Sequence, residues 1–259
     1  MVDADNALAF QSQNHPDGWG VAFYVDGSPH LTKSASTALH DALFKRVSGI
    51  VASETVVAHI RKATVGGNSV LNTHPFQHGK WVFAHNGEIP KFDRCRDAID
   101  AEIAPRLRRF ILGDTDSERI FFLFLTQLAQ HGPLTQRMSV DEVMDALESS
   151  TKLIRKLADG PDAPEPCSLN LLATDGTSLV AIQGGKALYW STYKERCSER
   201  DTCPFFASSC EATSKDGFVN HLVVSSEPLS GENIWLEMEQ GEMVGVDWRM
   251  RVSRRKMTA

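Results

Sequence analysis

Lys80-Trp81-Val82-Phe83-Ala84-His85-Asn86-Gly87 is the stretch on which the fold turns. A short aromatic and β-branched run bounded by polar residues reads as a buried strand. Working outward, TVVAHI (55–60) has the same texture, and WGVAFYVDG (19–27) closes on Asp-Gly as a strand entering a hairpin with HLTKS (30–34). Downstream the pattern changes to helices. Residues 116–130 are apolar on more than half of the circumference and end at His131-Gly132-Pro133, a helix stop. Residues 140–157 place Val140, Val143, Met144, Leu147, Ile154 and Leu157 on one face, with Ser139 and Glu142 spaced as a capping box. After the Pro/Gly/Asp loop DGPDAPEP (159–166), strands return: SLNLLATDG (168–176), SLVAIQGG (178–185), ALYWS (187–191), FVNHLVVSSE (218–227) and MVGVDW (243–248). Strands, then helices, then strands is an α+β order and not a βαβ alternation. It predicts a pair of antiparallel sheets with helices packed outside, in a single unit spanning 1–259.

Composition narrows the function classes. The chain has 259 residues, 42% apolar and 23% charged, with a net charge of −6, which is ordinary for a soluble globular protein and leaves no basic footprint for nucleic acid. The apolar run FFLFLTQLA (121–129) is far too short for a membrane span, and the acidic N-terminus does not read as a signal peptide, so the cytoplasm is the expected compartment. Cys95, Cys167, Cys197, Cys203 and Cys210 are odd in number and contain no CxxC pair, so free thiols are expected in place of a disulfide framework or a zinc site.

Four polar clusters fall at strand ends or helix starts: HPDGWG (15–20), AHIRKAT (58–64) with NTHPF (72–76), AHNGEI (84–89), and GDTDSE (113–118). Arg61 follows a buried strand, so it either grips a carboxylate or phosphate or pairs with a structural carboxylate. Asn86-Gly87 is first a turn signal; the functional alternative is an oxyanion hole. Thr115 and Glu118 form a capping-box pattern, and Asp116 either complements the helix dipole or binds a substrate ammonium. His59, His74, His78 and His85 invite a metal reading, but no HExxH or HxH pairing occurs and structural roles are expected.

In that order the clusters resemble the glutaminase domain of class II glutamine amidotransferases, most of all their compact stand-alone branch, whose members end with a stretch like SSEPLSGENIW (225–235). The likeness runs from about His15 to the C-terminal strands. It implies an N-terminal-nucleophile hydrolase fold, an αββα sandwich of two antiparallel sheets between helix layers. It also implies that Arg61 holds the α-carboxylate of glutamine or another γ-glutamyl compound, Asp116 its α-amino group, and Asn86 with Gly87 the oxyanion. Thr64 and His74 match positions near the substrate loop. The expected partners are a small γ-glutamyl amide and an ammonia-accepting or peptidase-type protein; no cofactor and no metal are implied.

One departure is central. Members of that family begin with Cys, whose free α-amino group activates its own thiol. Here the chain starts Met1-Val2-Asp3, and Ala4 to Gln13 reads as the helix that follows the family's opening strand. The nucleophile and that strand are therefore expected upstream of the given start. The alternative is a catalytically dead γ-glutamyl-binding or regulatory subunit.

Overall fold

The computed structural model describes residues 1, 6–160 and 165–258. In chain order the elements are α1 (Leu8–Gln11), β1 (Trp19–Val25), β2 (Ser28–Ser34), α2 (Ala42–Ile50), β3 (Val56–Ile60), β4 (Phe76–His78), β5 (Trp81–Glu88), α3 (Arg96–Glu102), α4 (Pro105–Arg108), α5 (Asp116–Leu128), α6 (Val140–Ala158), β6 (Ser168–Thr174), β7 (Leu179–Ile182), β8 (Tyr189–Ser191), β9 (Val223–Ser225), β10 (Leu236–Glu237), β11 (Glu242–Val246) and β12 (Val252–Lys256). A six-stranded sheet runs β12-β11-β7-β6-β5-β4, and two three-stranded sheets run β2-β1-β3 and β10-β8-β9. Every strand pair is antiparallel.

Period-two alternation sorts the side chains of the central sheet. Phe83, Leu169, Leu171, Ala173, Val180, Ile182 and Met243 face the helices, where they share one core with Ile120, Phe121, Phe124, Met144 and Leu147 of α5 and α6. The alternate residues Val82, Ala84 and Leu172 meet Ala22, Tyr24 and Val57 of the β1–β3 sheet. Ala181, Val244 and Leu172 meet Leu188, Trp190 and Val224 around the β8 sheet. Both small sheets thus cover the same face of the large one. Outside the β1–β3 sheet, Trp19, Val21 and Ile60 pack against Phe44 and Val47 of α2 and Leu8 of α1. The layers are helix, sheet, sheet, helix.

Local chemistry accounts for the boundaries. Asp26 and Gly27 carry φ values of 49° and 76°, the left-handed pair that a tight hairpin requires. Ser139 and Glu142 close a reciprocal capping box on α6, with Ser139 Oγ accepting from the Glu142 amide at 3.2 Å and Glu142 accepting from the Ser139 amide at 2.7 Å. Thr115 caps α5, but Glu118 does not return the bond; its carboxylate accepts from the amides of Leu112 and Gly113 at 3.0 and 2.7 Å.

Several sequence expectations need correction. Asn86-Gly87 is no turn: both residues lie inside β5, opposite Asn170 and Leu169 of β6. The strand read over 218–227 shrinks to Val223–Ser225, because its partner β8 is itself three residues long. The strand read over 243–248 stops at Val246, where the Asp247 carboxylate accepts from the amides of Arg249 and Arg251 at 2.8 and 2.9 Å and turns the chain into β12. The helix expected over 4–13 is a single turn at Leu8–Gln11, its first positions lying outside the described residues, as does part of the 159–166 loop.

The glycines of HPDGWG have a packing role. A Cβ on Gly20 would run into the carbonyl oxygen of His74, and Gly18, at φ 141°, has Ser34 O at 2.8 Å and Thr73 Oγ1 at 2.9 Å from where its Cβ would stand. Gly20→Ala should therefore cost about 1–3 kcal/mol, the usual penalty of overpacking. Gly49→Ala, in α2 with open space around the new methyl, should instead gain about 0.5–1 kcal/mol. Urea midpoints of the two variants check the contrast; equal shifts would contradict the backbone contact at Gly20.

Candidate functional site

A cavity of about 350 Å³ opens where β3, the end of β5 and the start of α5 converge. Arg61, Thr64, His74, Asn86, Gly87 and Asp116, all six residues singled out from the sequence, line it. They come from separate strands, loops and a helix, and the sheet packing brings them together.

Arg61 sits just past β3, clamped to the HPDGWG loop by two backbone bonds: its N–H donates to Gly18 O at 2.7 Å, and its carbonyl accepts from Asp17 N at 3.0 Å. Asp17 also accepts from the Ala63 amide at 2.8 Å, fixing the chain on the far side of Arg61. The guanidinium is buried. One terminal nitrogen donates to the carbonyls of Val65 and Gly66 at 3.0 and 3.3 Å, whereas Nη1 has no partner among the described residues. Burial lowers its pKa while the nearby Asp17 and Asp116 carboxylates raise it, and a guanidinium stays cationic under such shifts. A buried cation with an unused donor is a receptor for an anion.

Asp116 opens α5 and is buried as well. Its Oδ2 accepts from the Ile89 amide at 2.8 Å and its Oδ1 from the Ser117 amide at 2.8 Å. A carboxylate has about four acceptor sites, so capacity remains for a cation in the cavity.

The register of β5 decides what Asn86 and Gly87 present. Leu169, opposite Gly87, donates its N–H to Gly184 O on the other side of β6. The Gly87–Leu169 pair is therefore of the non-hydrogen-bonded kind, and the Gly87 N–H points away from β6. On that side β4 pairs only with Trp81–Phe83, so this donor meets no strand. A Cβ on Gly87 would strike the carbonyl of Ser168, so only glycine keeps this strand in place. Asn86, half-buried, points to the opposite face of β5 from His85, and its side-chain amide makes no hydrogen bond among the described residues.

Three histidines pack beside these groups. The rings of His59 and His74 lie 4.3 Å apart and those of His74 and His85 6.5 Å apart. His85 bonds Ser168 O through Nε2 at 2.9 Å and Ser117 Oγ through Nδ1 at 2.8 Å. Since a carbonyl can only accept, Nε2 carries a proton; in the neutral ring Nδ1 then takes the single proton of the Ser117 hydroxyl, whose oxygen also lies 3.2 Å from Asp116 Oδ1. Burial pushes the His59 pKa down to about 3 and that of His74 well below the ordinary value, and it also lowers that of His85. All three are neutral at pH 7. Among the described residues no three His, Cys, Asp or Glu side chains are grouped to hold a metal ion.

Sequence reasoning missed part of the lining. His15 and Glu227 lay within quoted motifs without being singled out, Ser117 was hidden in the α5 start, and Lys186 in the glycine turn after β7 carried no signal at all. None of the five cysteines lines the cavity among the described residues. No helix among the described residues is long and apolar enough to cross a membrane.

The layers form the αββα sandwich of the N-terminal-nucleophile hydrolase fold, and a cation, an anion and free amide donors line one cleft of it. The family profile of the class-II glutamine amidotransferases matches residues 7–250, and the chain belongs to that family. It is 28% identical to an Escherichia coli K12 protein provisionally named a glutamine amidotransferase, over 91% of this chain and 85% of that one. Over 101 residues, 35% of this chain and 43% of the other, it is 38% identical to the gamma-glutamyl-hercynylcysteine sulfoxide hydrolase of Mycobacterium tuberculosis strain CDC 1551. The solved structure of a glutamine aminotransferase class-II domain protein from Silicibacter pomeroyi superposes with a TM-score of 0.68 at 22% identity, covering 94% of this chain and 92% of that one.

The neutral histidines set a pH dependence. Below the ordinary histidine pKa of about 6.5 the unfolded chain binds protons that the folded chain refuses, so stability is full above that value and falls as pH drops through it. Each such histidine contributes up to about 1.4 kcal/mol per pH unit. Denaturant midpoints at pH 7 and pH 5 should show a marked loss at pH 5 that shrinks in His74→Gln; a flat profile would mean that the imidazoles are solvated.

Proposed function

We propose that this chain carries the γ-glutamyl-binding and oxyanion-stabilising parts of an amide hydrolase acting on glutamine or another γ-glutamyl compound. The observation that carries the reading is the convergence of the Arg61 guanidinium, the Asp116 carboxylate, the Asn86 amide and the Gly87 N–H on one cavity. An amino-acid zwitterion needs one cationic and one anionic partner, and the first two supply them. The second two supply donors for a carbonyl oxygen that becomes an oxyanion.

In this reading the α-carboxylate of the substrate takes the unpartnered Nη1 of Arg61, and its ammonium takes the remaining capacity of Asp116. The nucleophile is the thiol of an N-terminal cysteine lying outside this sequence, on a strand entering beside the unpaired edge of β3, several of whose residues line the cavity. Thiolate attack on the side-chain carbonyl carbon moves the π electrons to oxygen, which Asn86 and Gly87 stabilise. Collapse expels the amine, protonated on departure, and leaves a γ-glutamyl thioester. Water then releases glutamate and regenerates the thiol. Thr64 and His74 shape the wall around the glutamyl chain.

The absence of a cysteine from the cavity lining among the described residues favours, as the second reading, a binding or regulatory subunit built on the same ligand contacts. Both readings require ligand binding by the chain as it stands. L-glutamate at a hundred times its dissociation constant should stabilise it by about 2.7 kcal/mol, read as a thermal shift that D-glutamate does not reproduce. Arg61→Ala should abolish that shift, because loss of one partner of a buried charge pair costs about 2–5 kcal/mol. Absence of any shift, or an undiminished one in Arg61→Ala, would overturn the assignment.

The two readings part on catalysis. With an upstream cysteine segment restored in frame, the hydrolase reading expects glutamate release from glutamine, and Asn86→Ala should lower kcat by roughly a hundredfold or more with a much smaller change in KM. A completed chain that binds but releases no glutamate from glutamine or from γ-glutamyl amides would favour the regulatory reading.

A further inference from the structure

The mouth of the cavity carries charges that a glutamine molecule does not use. Beyond Arg61 and Asp116 the lining includes Lys62, which follows Arg61, and Lys186, 124 positions further along in the turn between β7 and β8, together with His15 and Glu227. Lys62 and Lys186 are exposed, and neither forms an ion pair among the described residues. The two ammonium groups share one rim, since both act on the same imidazole: burial first and then Lys62 lower the pKa of His15, Glu227 raises it, and Lys186 lowers it further.

Resting on the γ-glutamyl reading above, we infer that Lys186 and Lys62 receive a carboxylate on the leaving group, so that the preferred substrate is a γ-glutamyl peptide or amino-acid conjugate and not free glutamine. Charge matching carries the step. With the imidazoles neutral, the lining holds Arg61, Lys62 and Lys186 against Asp116 and Glu227, a surplus of one positive charge. Glutamine is neutral overall, and ammonia as leaving group gives the rim nothing to hold. A γ-glutamyl amino acid carries one further carboxylate, placed past the scissile amide, on the solvent side of the zwitterion anchors. Hydrolysis would break the γ-carbonyl C–N bond and release the conjugate as a free amine, protonated on departure, with water supplying the hydroxyl of glutamate.

The test compares two ligands that differ by the carboxylate group at issue, γ-L-glutamylglycine and γ-L-glutamylmethylamide, by calorimetry or thermal shift on the chain as it stands. Exposed ion pairs contribute up to about 1 kcal/mol each, so the glycine conjugate should bind about five- to tenfold more tightly. That ratio should fall toward one in Lys186→Gln, shrink in Lys62→Gln, and weaken as salt is raised from 50 to 500 mM. Equal affinity of the two ligands overturns this inference while leaving the γ-glutamyl reading intact, and so does a ratio unmoved by either substitution. Failure of both ligands and of L-glutamate to bind overturns the γ-glutamyl reading itself and this inference with it.

Discussion

A buried guanidinium organises this molecule. Arg61 is placed by backbone bonds to Gly18 and Asp17, its side chain is spanned by the carbonyls of Val65 and Gly66, and one of its donors is left over. Removing a cation from water is expensive unless its donors are met, and two nearby carboxylates offset only part of that cost. The loop glycines, the Asp17 bridge to Ala63 and the buried start of α5 can all be read as the scaffolding that keeps one charge where it would not otherwise stay.

The opposite face of the cavity is governed by neutrality. The His74 ring lies 4.3 Å from that of His59 and 6.5 Å from that of His85, and burial holds all three imidazoles uncharged. His85 uses that state directly, since only a neutral ring can accept from Ser117 while donating to Ser168. The same contact ties β5, which carries the free Gly87 donor, to the residue following Asp116. The Asp116 carboxylate and the amide donors are therefore held by one short chain of hydrogen bonds.

Much of this was legible in the sequence, for identifiable reasons. Trp81 to Ala84, the Asp26-Gly27 hairpin and the Ser139–Glu142 cap are set by local rules, and they appear where those rules place them. Arg61, Asn86, Gly87 and Asp116 were visible because each belongs to a dense polar cluster next to an apolar run. What was not legible depends on partners far along the chain. β12, with its charged VSRRK, is a strand because β11 offers it an edge, and α2 needed its apolar contacts with Trp19 and Ile60 to be recognised. Asn86-Gly87 looked like a turn because nothing local reveals that β6 lies beside it. Lys186 gave no clue, since a lysine after two glycines is ordinary until the cavity is seen.

The second sheet layer is two ribbons of three strands and not one continuous sheet: β3 is the edge of one and β9 of the other. Arg61 and Lys62 follow the first edge, while Lys186, Ser226 and Glu227 flank the second ribbon. Among the described residues no backbone ladder joins the two ribbons, so whatever lodges in the cleft and touches both banks acts as a rivet between them.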